Sequence, residues 1–144
     1  MSAVELAIDK NPFKGRKYIR GVGRRKSASA TAQLYARGSG TFVVNKRDLS
    51  VYFGRLDLMD IARASLEKLG ESMAYDINIT VSGGGSHGQA EAIRLAIARA
   101  LILQNKDVKP ALRAAGFVTV DRRVKERKKP GKKRARRSPQ WSKR

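Results

Sequence analysis

The chain has no cysteine, one histidine and few aromatic residues (6%). Without cysteine there are no disulfides and no thiolate metal sites. A single histidine, His87, leaves any metal site dependent on scattered carboxylates with no ligand spacing, so it reads as a polar loop residue. Acids are scarce as well: 12 Asp and Glu stand against 32 Lys and Arg, a formal net charge of +20 at pH 7. A surplus of that size points to an anionic partner, either nucleic acid or an acidic membrane surface. No apolar run approaches the roughly 18 residues that a membrane span needs. The opening MSAVELAIDKNPF carries Glu5 and Asp9 and lacks the basic and apolar regions of a signal peptide. A soluble, cytoplasmic chain with no membrane partner is expected. Catalytic signatures are missing too: there is no cysteine nucleophile, no Gly-x-Ser-x-Gly elbow and no pair of acids in a shared motif. Neither an enzyme, a cofactor nor a small-molecule substrate is expected.

What is present divides 144 residues into one domain and two appendages. Residues 1–16 read as a flexible lead, broken at Asn11-Pro12. Apolar content is concentrated before Asp121, and residues 17–121 form the globular part. Residues 122–144, RRVKERKKPGKKRARRSPQWSKR, contain thirteen Lys or Arg and one acid, Glu126, for a charge of +12. With no apolar face to bury, this tail does not fold alone, and its like charges extend it. Pro130, Gly131 and Pro139 forbid one continuous helix. The last fifteen residues therefore act as an extended probe with a reach of at most roughly 50 Å.

Within the globular part, Ala28, Ala30, Ala32 and Leu34 alternate with Ser29, Thr31, Gln33 and Tyr35, the period of a strand. Gly38-Ser39-Gly40 reads as a turn leading into a partner strand, TFVVN at Thr41 to Asn45, so a hairpin is expected. Asp48 caps a short segment, LSVYFG, that stops at Gly54, and an amphipathic helix runs from Leu56 to Leu69. Tyr75 to Ser82 alternates as the clearest strand. A helix from about Gln89 to Leu103 is apolar over more than half its surface, so it packs on a sheet. A short helix, Lys109 to Ala115, and a final strand, FVTV at Phe117 to Val120, complete the domain.

Two stretches suit a phosphate backbone. Gly21 and Gly23 with Arg24, Arg25 and Lys26 are either a solvated basic strand end or a loop whose backbone N–H groups approach an anion that the cations neutralise. Gly83, Gly84, Gly85, Ser86 and Gln89 lie between a strand and a helix, the layout that aims amides at a phosphate. The alternative there is a tight turn with only a packing role. It is not a nucleotide-hydrolysing loop, because Gln89 and Ala90 stand where Lys and Ser or Thr belong. In the tail the candidates are Arg122, Arg123, Lys125, Arg127, Lys128, Lys129, Lys132, Lys133, Arg134, Arg136 and Arg137; the arginines add bidentate phosphate geometry. Trp141, a lone indole in a basic tail, stacks on a base, lies on a partner or stays in solvent.

GRRKSASA at Gly23 to Ala30, VYFGR at Val51 to Arg55, TVSGGGSHGQAEAIRLAIARAL at Thr80 to Leu101, LRAAGFVTVD at Leu112 to Asp121 and the terminal VKERKKPGKKRARRSPQWSKR together resemble the bacterial small-subunit ribosomal protein S-nine family. The resemblance runs from about Tyr18 to Arg144. It departs at Trp141, where phenylalanine is usual, and at Val120, where arginine is usual. It implies a non-enzymatic, rRNA-binding constituent of the small-subunit head. The fold it implies is an α+β compact two-layer sandwich with a left-handed βαβ crossover, an exception to the usual hand, plus a long extended basic C-terminal tail. Neighbouring head proteins are partners on this view. The tail threads through small-subunit rRNA, and its tip, Ser142, Lys143 and Arg144, approaches the peptidyl-site tRNA. Two other classes compete: a small-molecule kinase built on the same broad fold, and a DNA-compacting basic protein.

Overall fold

The computed structural model describes Phe13, residues 15–71 and residues 73–143. The sheet is five-stranded, in the order β1-β2-β5-β3-β4. Its strands are β1 (Ile19–Arg25), β2 (Ala28–Ala36), β3 (Phe42–Val44), β4 (Arg47–Asp48) and β5 (Tyr75–Ser82). The helices are α1 (Leu49–Phe53), α2 (Leu56–Glu67), α3 (Ser86–Gln104) and α4 (Lys109–Ala114), the last preceded by a 3-10 turn over Lys106–Val108. The α+β class expected from the sequence holds. β1–β2, β2–β5 and β3–β4 are antiparallel, while β3 lies parallel to β5. The connection between that parallel pair runs through β4, α1 and α2.

Alternation in β2 and β5 decides which face is buried. Ala28, Ala30, Ala32 and Leu34 of β2, with Ile77, Ile79 and Val81 of β5, enter one core with α3. Helix α3 packs on β1, β2 and α2. Its Ala90, Ala92, Ile93, Ala96, Ile97, Ala98, Ala100 and Leu101 are all buried, which explains a helix too apolar to have a solvent side. The Ser65 hydroxyl donates to the Arg94 carbonyl at 3.0 Å and ties α2 to α3.

Two expectations are corrected. Gly21 and Gly23 are not in a loop; they lie within β1, opposite Ala32 and Ala30. Both face α3 at closest approach. A Cβ on Gly21 would stand 2.0 Å from the Ala96 carbonyl oxygen, and one on Gly23 would stand 2.1 Å from that of Ala92. The glycines are there to let a helix backbone lie directly on a strand, not to reach an anion. The hairpin expected between residues 28–35 and 41–45 does not form either. β2 pairs with β1 and β5 instead, and β5 separates it from β3. The cause is Asp76, 6% exposed, which gathers the intervening loop. Its carboxylate accepts from the Ser39 and Thr41 amides at 2.8 and 3.1 Å, from the Ser39 hydroxyl at 3.2 Å and from Arg16 at 2.6 Å. The loop is thereby carried past the start of β5. β3 instead forms a hairpin with β4 through Asn45-Lys46, both at positive φ, as primed turns require.

The end of the expected lead is packed rather than free. Phe13 is buried at 4% exposure and stacks on Tyr35 with ring centroids 4.8 Å apart, on the sheet face away from the helices. Beside it, Gln33 accepts from both the Tyr35 hydroxyl and the Asn78 amide. Residues 1–12 lie outside the described residues. The final strand expected over 117–120 does not form; Phe117 is held by its N–H donating to the Leu112 carbonyl at 3.0 Å and by the Arg94 guanidinium 4.8 Å from its ring.

The helix-on-glycine contact makes a stability prediction. Gly23→Ala is expected to cost about 1–3 kcal/mol, as overpacking does, whereas Gly85→Ser, where a Cβ meets nothing, stays within about 0.5 kcal/mol; urea denaturation separates them. Asp76 makes a second. Burial alone would raise its carboxyl, but Arg16 and the Ser39 and Thr41 amides outweigh burial and lower it to about 2. A depressed carboxylate stabilises the fold above its unfolded pKa, near 3.9, and that contribution is lost as pH falls through the folded value. Asp76→Asn is thus expected to lose about 2 kcal/mol at pH 7, with the gap to wild type closing between pH 4 and 2 in denaturant titrations.

Candidate nucleic-acid interface

Three segments distant in sequence converge at one end of the sheet. The β1–β2 hairpin turns at Lys26-Ser27, with Lys26 held at φ 52°. The glycine loop sits against it: a Cβ on Gly83 (φ 73°) would be 2.5 Å from the Ser27 carbonyl oxygen, and one on Gly84 would be 3.0 Å from the Ala28 Cβ. These two glycines pack on the hairpin. Gly85 differs. It has open space around it and stands at the N-cap of α3, whose first turn has no side-chain cap and no acid.

Helix α3 starts at Ser86, one turn earlier than its apolar pattern suggests. Its first amides, the positive end of the helix dipole, therefore open next to the Lys26-Ser27 turn, where Ser86 and Lys26 are exposed. Gln89 turns inward instead. Its Nε2 donates to the Gly83 carbonyl at 3.1 Å, and its Oε1 accepts from the Tyr52 hydroxyl at 2.8 Å. Gln89 shapes the loop from behind. His87 is exposed and lies 3.7 Å from Glu91; among the described residues no group of side chains is arranged to hold a metal.

The third segment is the root of the tail, and Arg25 holds it. The Arg25 side chain is 15% exposed; its Nε meets Glu91 at 2.5 Å and its Nη2 meets Asp121 at 3.0 Å. Its Nη1 donates to the carbonyls of Asp121 and Arg123, both at 3.3 Å. Arg123 closes on Asp121 as well, through its guanidinium and its backbone N–H at 2.9 Å. These contacts, Arg123 first and Arg25 after it, hold the Asp121 carboxyl well below the usual carboxylate range. The tail's direction is thus set by a guanidinium, not by a last strand. Beside the clamp, Val22, Arg24, Lys26, Arg99 and Arg122 border an open groove of about 490 Å³. Arg99 donates to the Val22 carbonyl at 2.7 Å, which covers part of the β1 edge.

Of the residues singled out by sequence, Arg24, Lys26 and Arg122 border one groove, and Gly85 and Ser86 are exposed at the start of α3; Arg25 and Gln89 are engaged internally, and Arg123, though exposed, is paired with Asp121. Lys125, Arg127, Lys128, Lys129, Lys132, Lys133, Arg134, Arg136 and Arg137 are all exposed, as are Ser142 and Lys143. Trp141 is 79% exposed, with no ring partner among the described residues. Arg144 lies outside the described residues. Sequence reasoning missed Glu91; its i+4 spacing from His87 is the only local sign of it.

A surface for a polyanion fits this arrangement. The sequence model of the family described as ribosomal protein S9/S16 matches residues 23–144. The chain belongs to that family. Small ribosomal subunit protein uS9 of Porphyromonas gingivalis is 53% identical over 127 residues, which is 88% of this chain and 98% of the relative. The protein of the same name from Bacteroides fragilis is 48% identical over 126 residues, again 88% and 98%. The family match begins at residue 23, so Phe13 and Arg16, which pack on the sheet, fall outside it.

The two kinds of arginine separate in experiment. Arg25→Ala is expected to destabilise the fold by about 2 kcal/mol, because it strands the partly buried Glu91 and removes the joint between β1, α3 and the root of the tail. Arg24→Ala leaves stability within about 0.5 kcal/mol and lowers RNA affinity instead. Paired thermal melts and filter-binding measurements read the difference.

Proposed function

We propose that the chain is a structural, RNA-binding constituent of the head of the small ribosomal subunit in the cytoplasm. The observation that carries this reading is a family-matched segment, 23–144, that ends in a run of thirteen cations, of which the twelve described ones are all exposed. The domain, residues 17–121, docks on small-subunit rRNA through Arg24, Lys26, the Gly83–Ser86 loop and the open start of α3. Backbone amides and cations of this kind hold phosphates and fix register without reading bases. The tail, 122–144, threads between RNA segments beside neighbouring head proteins, with Arg and Lys neutralising crowded phosphates. Its tip, Ser142, Lys143 and Arg144, contacts the backbone of the peptidyl-site tRNA, a sequence-independent contact suited to many tRNAs. The same reading gives the β3-to-β5 crossover the left-handed sense. The kinase alternative has no support in the glycine loop, whose Gln89 side chain is committed to Gly83 and Tyr52.

Two outcomes follow from this. If six to ten phosphates are neutralised, affinity for small-subunit rRNA falls by about 10³ to 10⁵ between 50 and 200 mM salt, measured by co-sedimentation or filter binding. Deleting residues 142–144 is expected to weaken peptidyl-site tRNA binding to reconstituted subunits and leave their assembly intact. Unchanged tRNA affinity removes the tip from this role.

A further inference from the structure

The tail is expected from its sequence to be an extended ribbon, yet part of it folds back. At Pro130-Gly131 the chain reverses: the Lys132 N–H donates to the Lys129 carbonyl at 3.2 Å, and the Lys133 N–H donates to the Arg137 carbonyl at 2.7 Å. The ammonium of Lys132 donates to the Ser138 hydroxyl at 2.6 Å. The base of this loop is closed by the tail's one acid. Glu126 accepts from Arg136 Nε at 3.0 Å and from Nη2 at 2.5 Å, a bidentate pair. Arg136 draws the Glu126 carboxyl below its usual range, so it is ionised at neutral pH. Around the pair, Lys125, Lys128, Lys133, Arg134 and Arg137 line an open hollow of about 840 Å³.

We propose that residues 126–138 form a preshaped phosphate cradle for one strand of RNA, and that Glu126 is the positioning residue that shapes it by fixing Arg136. This rests on the reading that the tail binds rRNA. A lone carboxylate in a segment of thirteen cations lowers its attraction for a polyanion, so charge alone gives it no place. Its position does. By pairing across ten residues it brings the cations of 125–128 and of 133–137 around one hollow, and less ordering is left to the moment of binding. In water an exposed pair contributes little. It strengthens as the RNA excludes solvent, so the loop closes most firmly when occupied.

The test uses the full chain and Glu126→Gln, which raises the net charge by one. The probes are small-subunit head rRNA and duplex DNA at the same ionic strength. If charge alone governs, both affinities rise. The cradle predicts that rRNA affinity falls by about 5- to 10-fold while duplex DNA affinity is unchanged or higher. The double exchange Glu126→Arg with Arg136→Glu keeps the net charge and the pair, and is expected to restore most of the rRNA affinity. Thermal melts of the domain are expected to be unaffected, since no core residue is touched. Equal or tighter rRNA binding by E126Q, or a double exchange that rescues nothing, overturns the proposal. Absence of any rRNA preference in the wild-type chain overturns the proposed function itself, a result distinct from either.

Discussion

Everything at the end of the sheet where β1 meets the start of α3 depends on how closely the helix lies on the strand. Gly21 and Gly23 have no side chains to hold the helix off, and the positions of α3 that meet them are alanines, Ala92, Ala96 and Ala100. With small residues on both surfaces, the backbones themselves come together. The dispersion attraction that short side chains forgo is regained by this proximity. The closeness has a geometric consequence. Helix α3 starts where β1 ends, so its uncapped amides, the Lys26 turn and the Gly83–Gly85 loop share one surface. A helix displaced by the width of a methyl group would separate them.

The charge is organised by the same seam. Arg25, at the last position of β1, reaches Glu91 on α3 and Asp121 at the base of the tail, so one partly buried guanidinium joins strand, helix and tail. Other arginines make similar joints: Arg16 with Asp76, Arg94 with Phe117, Arg99 with the Val22 carbonyl. The described cations beyond residue 123 are exposed and, apart from the Arg136 pair with Glu126, have almost no acids to meet. Arg16, Arg25, Arg94 and Arg99 thus hold protein to protein, whereas Arg24 and most arginines of the tail are exposed to solvent.

Much of this was legible in the chain and some was not, for identifiable reasons. Period-two alternation located β2 and β5 because each has one buried face. Asp48, Gly54 and Gly70 marked helix ends because capping chemistry is local. Strand order was not legible. It turns on Asp76, whose four partners come from residues 16, 39 and 41, too far off for any window to reveal. Gly21 and Gly23 were misread because a glycine that admits a phosphate and one that admits a helix are identical in sequence; only the facing Ala92 and Ala96 distinguish them. Arg24, Arg25 and Lys26 looked like one triplet, yet strand alternation turns Arg25 to the core face and its neighbours to solvent. The family was legible from whole motifs, and the burial of Phe13 was not, because no motif covers it.

The most direct test of the account is amide chemical-shift mapping of the nitrogen-labelled chain during titration with small-subunit head RNA. The prediction is that shifts concentrate on Arg24 to Ser27, on Gly85 to His87 and along residues 122–143. The opposite sheet face at Gln33, Val43 and Asn78 stays unchanged. Shifts centred on that opposite face, with Lys26 and Gly85 silent, would contradict the claim that the α3–β1 seam builds the RNA-binding surface.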